Sequence, residues 1–283
     1  MSWSVGISVS PCVDAAKIGY DDRQINRIVI RMAQYFLDQD MRVIFGHDWR
    51  EDGVMRAVAD FAAVVAARTA AEKEELRIGA QRPEDVVDEE CRMVNLVATS
   101  VEALSHGAVA AGEESGNVLA VLSVDKIRDP AGWPEKLGTE PVEAERLRGL
   151  QMPETRAEEL TVLRQWMTAL LAPGCRICLG GKMHGFQGGE PGILEEAGLA
   201  LDWGKPLYLL GGLGGATRAF IKSKKYAKNY ESDRYWKSRN GLDRDAKVEL
   251  FDTVDMEAAL RLIAKGISAC SQSSHPLWGQ LGN

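Results

Sequence analysis

The chain has 283 residues, of which 45% are apolar and 27% charged, with seven tryptophans, so a core of ordinary size is available. A formal net charge of −7 excludes a general nucleic-acid binder, which needs a basic face to neutralise phosphates, but leaves room for a local basic pocket holding one small anion. Five scattered cysteines, an odd number, point to free thiols in a reducing compartment. The first ten residues carry no basic segment followed by an apolar run, and no stretch reaches the roughly 18 apolar residues of a membrane span. A cytoplasmic location without membrane or nucleic-acid partners is expected.

Residues 5–9 alternate apolar positions and predict a first strand. The loop behind it carries turn formers and an aspartate pair, Asp21-Asp22, that suits a helix cap. Residues 26–40 place Ile28, Val29, Met32, Tyr35 and Phe36 at helical spacing. Residues 41–45 (MRVIF) predict a second strand, and helix resumes from 54 to about 75. Residues 72–91 are strongly charged and read as a solvated connection. Residues 92–99 suggest a third strand and 100–111 a helix, while the apolar run 118–124 fits either type.

Residues 125–154 are rich in proline, glycine and charge and predict an insertion, helix-prone at 142–150. Residues 154–171 predict a helix with Leu160, Leu163, Trp166, Met167 and Leu170 on one face. Strands are expected at 175–179 and 207–210, with a helix between them from Pro191 to Trp203 and another from Gly214. The basic, aromatic stretch 226–243 reads as loop or short helix, 247–251 as a last strand and 255–270 as a final amphipathic helix. The order predicts one Rossmann-like α/β domain over residues 1–270, a doubly wound and mainly parallel sheet with helices on both faces, plus a loose tail at 271–283. Ligands of such sheets lie beyond the carboxyl ends of the strands.

The densest chemistry lies in 174–217, where two strands each end in a glycine-rich turn. Gly180, Gly181, Gly188, Gly189 and Gly192 surround Lys182, and Pro191 sits where a helix would start. Backbone amides at that helix start suit a phosphate, although the spacing is neither a Walker A loop nor GxGxxG, and a flexible connection reads the same way. Gly211, Gly212, Gly214 and Gly215 repeat the pattern, with Arg218 one turn into the next helix. Glu195 and Glu196 fit two roles: carboxylates favoured by the helix dipole, or a ribose acceptor or catalytic group at an anomeric carbon. Adjacent helical residues diverge by about 100°, so one of the pair faces a ligand squarely. After the second strand, Asp48 and Arg50 offer a hydroxyl acceptor and a phosphate partner around Trp49, or a capping turn. Cys175 and Cys178 form C-x-x-C, but their side chains fall on opposite faces of a strand, so no metal site is expected.

The segment GGKxxGFQGGEPGILEEAGLALxxGKPLYLLGGLGGATR resembles the carboxyl half of the SLOG superfamily, Rossmann-like domains related to DprA proteins and to LOG phosphoribohydrolases. Within it, the chain is most similar to the branch associated with TIR domains and purine-nucleoside-phosphorylase-like domains in bacterial conflict systems. That branch has G-G-D-x-R-x-G-G after the second strand; here His47 and Asp52 replace two glycines. The resemblance covers residues 3–60 and 90–220 and is specific around 179–217. It implies a nucleotide-binding domain; the expected contacts are Ser8, Asp48, Arg50, Lys182, the two glycine turns and, on a ribose, Glu195 or Glu196. An NAD- or ADP-ribose-derived ligand, a homo-oligomer and a TIR-domain effector partner go with it, and no cofactor beyond that ligand. The LOG element P-G-G-x-G-T-x-x-E lacks its G-x-G-T portion here, so the resemblance favours a sensor over an N-glycosidase or phosphoribohydrolase using Glu195 or Glu196; an inert scaffold is the third reading.

Overall fold

The computed structural model describes residues 3–46, 54–79, 92–97, 119–123, 146–147, 150, 153–222 and 229–273. Six parallel strands form one sheet in the order β4-β3-β2-β1-β5-β6. They are β1 (Ser4–Ser10), β2 (Arg42–Phe45), β3 (Met93–Val97), β4 (Leu119–Ser123), β5 (Gly174–Gly180) and β6 (Leu207–Leu210). The chain walks outward from β1 to β4, then restarts at β5 on the other side. Strand order therefore reverses between β1 and β5, where a doubly wound sheet opens a crevice at its carboxyl edge.

Alternation along each strand divides the core. Val5, Ile7, Val43, Phe45, Cys175, Ile177 and Leu179 point to one face. There they meet α2 (Asp22–Asp38), α3 (Val54–Gly79) and α9 (Met256–Ser273). Ile44, Val94 and Leu96 point the other way, onto α4 (Arg156–Ala169). Cys178, Leu207 and Leu209 share that second face with α5 (Gly192–Asp202) and α6 (Gly215–Lys222). The fold is thus the expected Rossmann-like α/β type with helices on both faces. The two strand cysteines lie in different core layers, and burial pushes both thiols upward, Cys178 to about 12.

Caps set several helix starts. Asp21 accepts from the amide of Gln24, so α2 begins four residues before the periodic stretch at 26–40. Thr155 and Glu158 form a capping box at α4, and Leu160, Leu163, Trp166, Met167 and Leu170 are all buried. A short α1 (Val13–Lys17) lies inside the loop after β1. Helix α3 continues to Gly79, into the charged stretch read as a connection, and α7 (Asn229–Lys237) lies within the basic-aromatic segment. The ambiguous run at 118–124 is a strand. Residues 100–111 and most of the insertion and tail fall outside the described residues, although Ser271–Ser273 close α9.

One element is corrected. Residues 247–251 are not a strand but belong to α8 (Arg244–Asp252). Asp243 accepts from the amide of Ala246 and starts the helix. The buried positions are Ala246, Lys247, Leu250 and Phe251, a helical stripe that packs α8 against β6, whereas Val248 is exposed. A strand would have put Val248 and Leu250 on one face. Leu250→Ala should lower unfolding free energy by about 2–5 kcal/mol, while Val248→Ala should change it by less than about 0.5 kcal/mol. Urea denaturation of both variants checks this, and equal losses would restore the strand.

Candidate functional site

The second face of the central strands carries a buried charge. Arg176, fully buried in β5, pairs in register with Gly6 of β1. A side chain at position 6 would fall 3.1 Å from the Arg176 guanidinium, so the glycine makes the space. Arg176 Nη1 donates to Ser8 Oγ at 3.1 Å and to Glu196 Oε2 at 3.0 Å, and Nη2 to Thr168 Oγ1 at 3.2 Å. Ser8 itself donates to Glu196. Strands β1 and β5 and helices α4 and α5 are thus tied together by one carboxylate and one guanidinium.

Glu195 turns elsewhere. It accepts from Thr161 Oγ1 at 2.5 Å and pairs with Arg164, both on α4. The Arg164 guanidinium lies against the glycine loop, where a side chain at Gly188 or Gly192 would come within 3.0 or 2.6 Å of it. The same arginine approaches Glu196 at 3.9 Å. Of the two neighbouring glutamates, Glu196 lines a small cavity of about 90 Å³ beyond β1 and β2, with Ser8, Gly46, Arg164 and Met167.

A larger pocket, about 720 Å³, lies where the loops after β1 and β5 meet the start of α6. One wall is Pro11, Cys12, Val13 and Asp14; the other is Gly181 to Gly185, including Lys182 and His184, with Gly215 between them. The turn is closely built. Gly214 and Gly215 both have positive φ, and a side chain on Gly215 would fall 2.4 Å from the carbonyl of Gly181. Ala216 N–H donates to Gly181 O at 3.0 Å, and Gly215 N–H to Asp14 Oδ2 at 3.1 Å. Cys12 donates to Leu213 O, and burial raises its thiol pKa.

The sequence-derived candidates therefore separate. Gly181, Lys182 and Gly215 share the large pocket, whereas Gly180 and Gly214, each one residue before a lining glycine, have positive φ but do not line it. Ser8 and Glu196 share the small cavity. Gly188, Gly192 and Glu195 gather around Arg164, and Gly189 faces open space. Gly211 packs under the Phe251 ring and Gly212 against the carbonyl of Thr253. Arg218 is exposed and bends back to Gly211 O at 3.4 Å. Asp48 and Arg50 lie outside the described residues. Sequence reading passed over Arg164, Arg176, Cys12 and Asp14. An arginine inside the apolar strand GCRICLG was a signal for Arg176; for the others there was none beyond residue type.

Removing Glu196 leaves a buried guanidinium without its carboxylate. Glu196→Leu should cost about 3–5 kcal/mol. Arg176→Met in the same chain should return at least about 1 kcal/mol of that loss, because the two positions couple. Denaturant midpoints of the singles and the double variant measure the coupling; additive losses would show that the pair is not energetically linked.

Among the described residues no helix is long and apolar enough to cross a membrane, and no group of three or more His, Cys, Asp or Glu gathers as a metal site. No curated protein matches the chain. A family model described as SLOG cluster2 matches residues 1–265. With the sheet order and the crevice between β1 and β5 in place, the chain belongs to the SLOG superfamily, in the group that model defines.

Proposed function

We propose that the protein is a sensor that binds a nucleotide-derived ligand, of the NAD or ADP-ribose class, across the carboxyl ends of β1 and β5. The observation that carries this reading is the pocket between the loops after those strands. Its volume of about 720 Å³ falls in the range of small-molecule sites. It also lies where strand order reverses. Its walls differ in charge, with Asp14 and Asp22 on the β1 side and Lys182 and His184 on the β5 side. Carboxylates suit sugar hydroxyls, and an ammonium suits phosphate. In this reading the chain works in the cytoplasm of a bacterium as the sensing part of a defence system. It assembles with copies of itself and with a TIR-domain effector, as the family resemblance implies. Cys12, Cys175, Cys178 and Cys270 are free thiols, which suits a reducing compartment.

A second reading is hydrolysis of the ligand's N-glycosidic bond, with Glu196 as the catalytic carboxylate. It is favoured by the position of Glu196 beside Ser8 in the smaller cavity. Against it, Glu196 is already engaged by Ser8 and Arg176, and a carboxylate so held is a poor nucleophile. Sensing is therefore the primary proposal.

Thermal shift and calorimetry with NAD, ADP-ribose and nucleoside monophosphates test binding. A ligand at 100 times its Kd should stabilise the fold by about 2.7 kcal/mol. It should also slow alkylation of Cys12, which lines the pocket, while leaving Cys270 unchanged. No stabilisation by any of these compounds would sink the sensor reading. Chromatography of the incubated ligand separates the two readings. Released base that disappears in Glu196→Gln would establish the hydrolase; intact ligand keeps the sensor.

A further inference from the structure

The start of α6 resembles a phosphate site in sequence, yet the chain fills it itself. Gly215, the first residue of the helix, donates its amide to the Asp14 carboxylate at 3.1 Å, and the next amide, of Ala216, donates to Gly181 O at 3.0 Å. Gly214 N–H goes to Gly211 O at 2.9 Å. A side chain on Gly214 would meet Asp14 Cβ at 2.3 Å, so the turn is fitted around this aspartate. Asp14 and Gly215 also line the large pocket, with Asp22 on the same side and Lys182 and His184 opposite.

Resting on the nucleotide-binding reading, we infer that Asp14 is a specificity-determining residue. It makes the α6 side of the pocket accept the hydroxyls of a ligand's sugar and reject a phosphate esterified there. A carboxylate is an acceptor only, and so are phosphate oxygens; facing one another they leave lone pairs unpaired. A sugar diol donates, and one ionised carboxylate accepts two such donors. The helix amide that would otherwise reward a phosphate is already committed to Asp14. Lys17 lies 4.0 Å from Asp14 Oδ1, but both side chains are more than half exposed, so its charge is screened and does not make this end cationic. The phosphate groups of an accepted ligand are thereby directed to the opposite wall, toward Lys182 and His184. The discrimination comes from an unfavourable pairing with the wrong ligand as much as from a good pairing with the right one.

The test compares ADP-ribose with ADP-ribose 2′-phosphate by calorimetry, on wild type, Asp14→Asn and Asp14→Ser, with circular dichroism verifying that each variant folds. Asparagine keeps an oxygen for the Gly215 amide but adds an N–H₂ donor and removes the charge. Wild type should bind ADP-ribose at least about tenfold more tightly than its 2′-phosphate, a difference of about 1.4 kcal/mol. Both variants should narrow that ratio to about threefold or less. Equal wild-type binding of the two compounds, or a ratio unchanged in both variants, would overturn the inference while leaving the sensor reading intact. No binding of either compound by wild type would overturn the inference and the ADP-ribose reading together. Raising salt from about 20 to 300 mM should shrink, not erase, the wild-type ratio, since the mismatch of acceptors persists when the charges are screened.

Discussion

The seating of α4 and α5 on the sheet turns on a guanidinium buried in its middle. Arg176 is fully buried on β5, and its neighbours meet the two terminal nitrogens of its guanidinium while Nε stays buried without a hydrogen-bond partner among the described residues. Gly6 leaves the volume, Ser8 and Thr168 accept two of its protons, and Glu196 supplies the countercharge. Burying such a pair forfeits hydration that its mutual attraction barely recovers, so its contribution to net stability is small compared with the cost of breaking it. What it contributes is position. The ion pair holds α5 at one place over β1 and β5, and through Thr168 it holds α4 as well. Apolar contacts alone, such as Ile193 and Leu194 on Cys178 and Leu209, tolerate sliding that a hydrogen-bonded ion pair does not.

The neighbouring glutamate extends this to the loop. Glu195 fixes Arg164, and Arg164 lies flat against Gly188 and Gly192, which have no side chains to push it away. Two consecutive carboxylates therefore do different work, one toward the strands and one toward α4. Both arrangements follow from the 100° separation of adjacent helical residues. The glycines of this loop are explained in part by the arginine they touch, so a glycine-rich turn is not by itself a cradle for phosphate.

The fold was largely legible because the strands are buried on both faces and the helices are one-sided. MRVIF, CRICL and LYLL are short, mostly apolar runs of strand length, and residues 26–40 and 154–171 keep a clean helical stripe. The failure at 247–251 has the same origin. VEL alternates over three residues, too few to separate a strand from a helix whose buried stripe is Ala246, Lys247, Leu250 and Phe251; the Asp243 cap that decides the matter is one residue of many that look alike. The site was less legible because its partners are far apart in sequence. Ser8 and Arg176 are 168 residues apart, and Asp14 and Gly215 are 201. No local pattern encodes such contacts. Residue type and the family resemblance singled out Ser8, Glu195, Glu196 and the glycines as candidates, but not which of them touch each other.

The two cavities flank the carboxyl end of β1, the small one toward the end of β2 and the large one toward the end of β5. Ser8 leads into the small one, and two residues later Ser10 O receives the amide of Gly181, at the floor of the large one. Ser8 and Ser10, two residues apart, lie on the same face of β1, so it is the flanking strands that separate the two cavities. A ligand in the large pocket would sit against Gly181, the residue that follows β5, and β5 carries Arg176. Were Gly181 to move when the proposed ligand binds, the strand would carry the displacement through Leu179 and Cys178 toward Arg176, whose ion pair fixes α5. A closely packed interior responds to such a displacement by moving whole helices rather than by compressing. The pocket floor at Gly181 and the buried guanidinium of Arg176 thus lie five residues apart along the chain, a short route by which the sensing proposed above would reach α4 and α5 without bond cleavage.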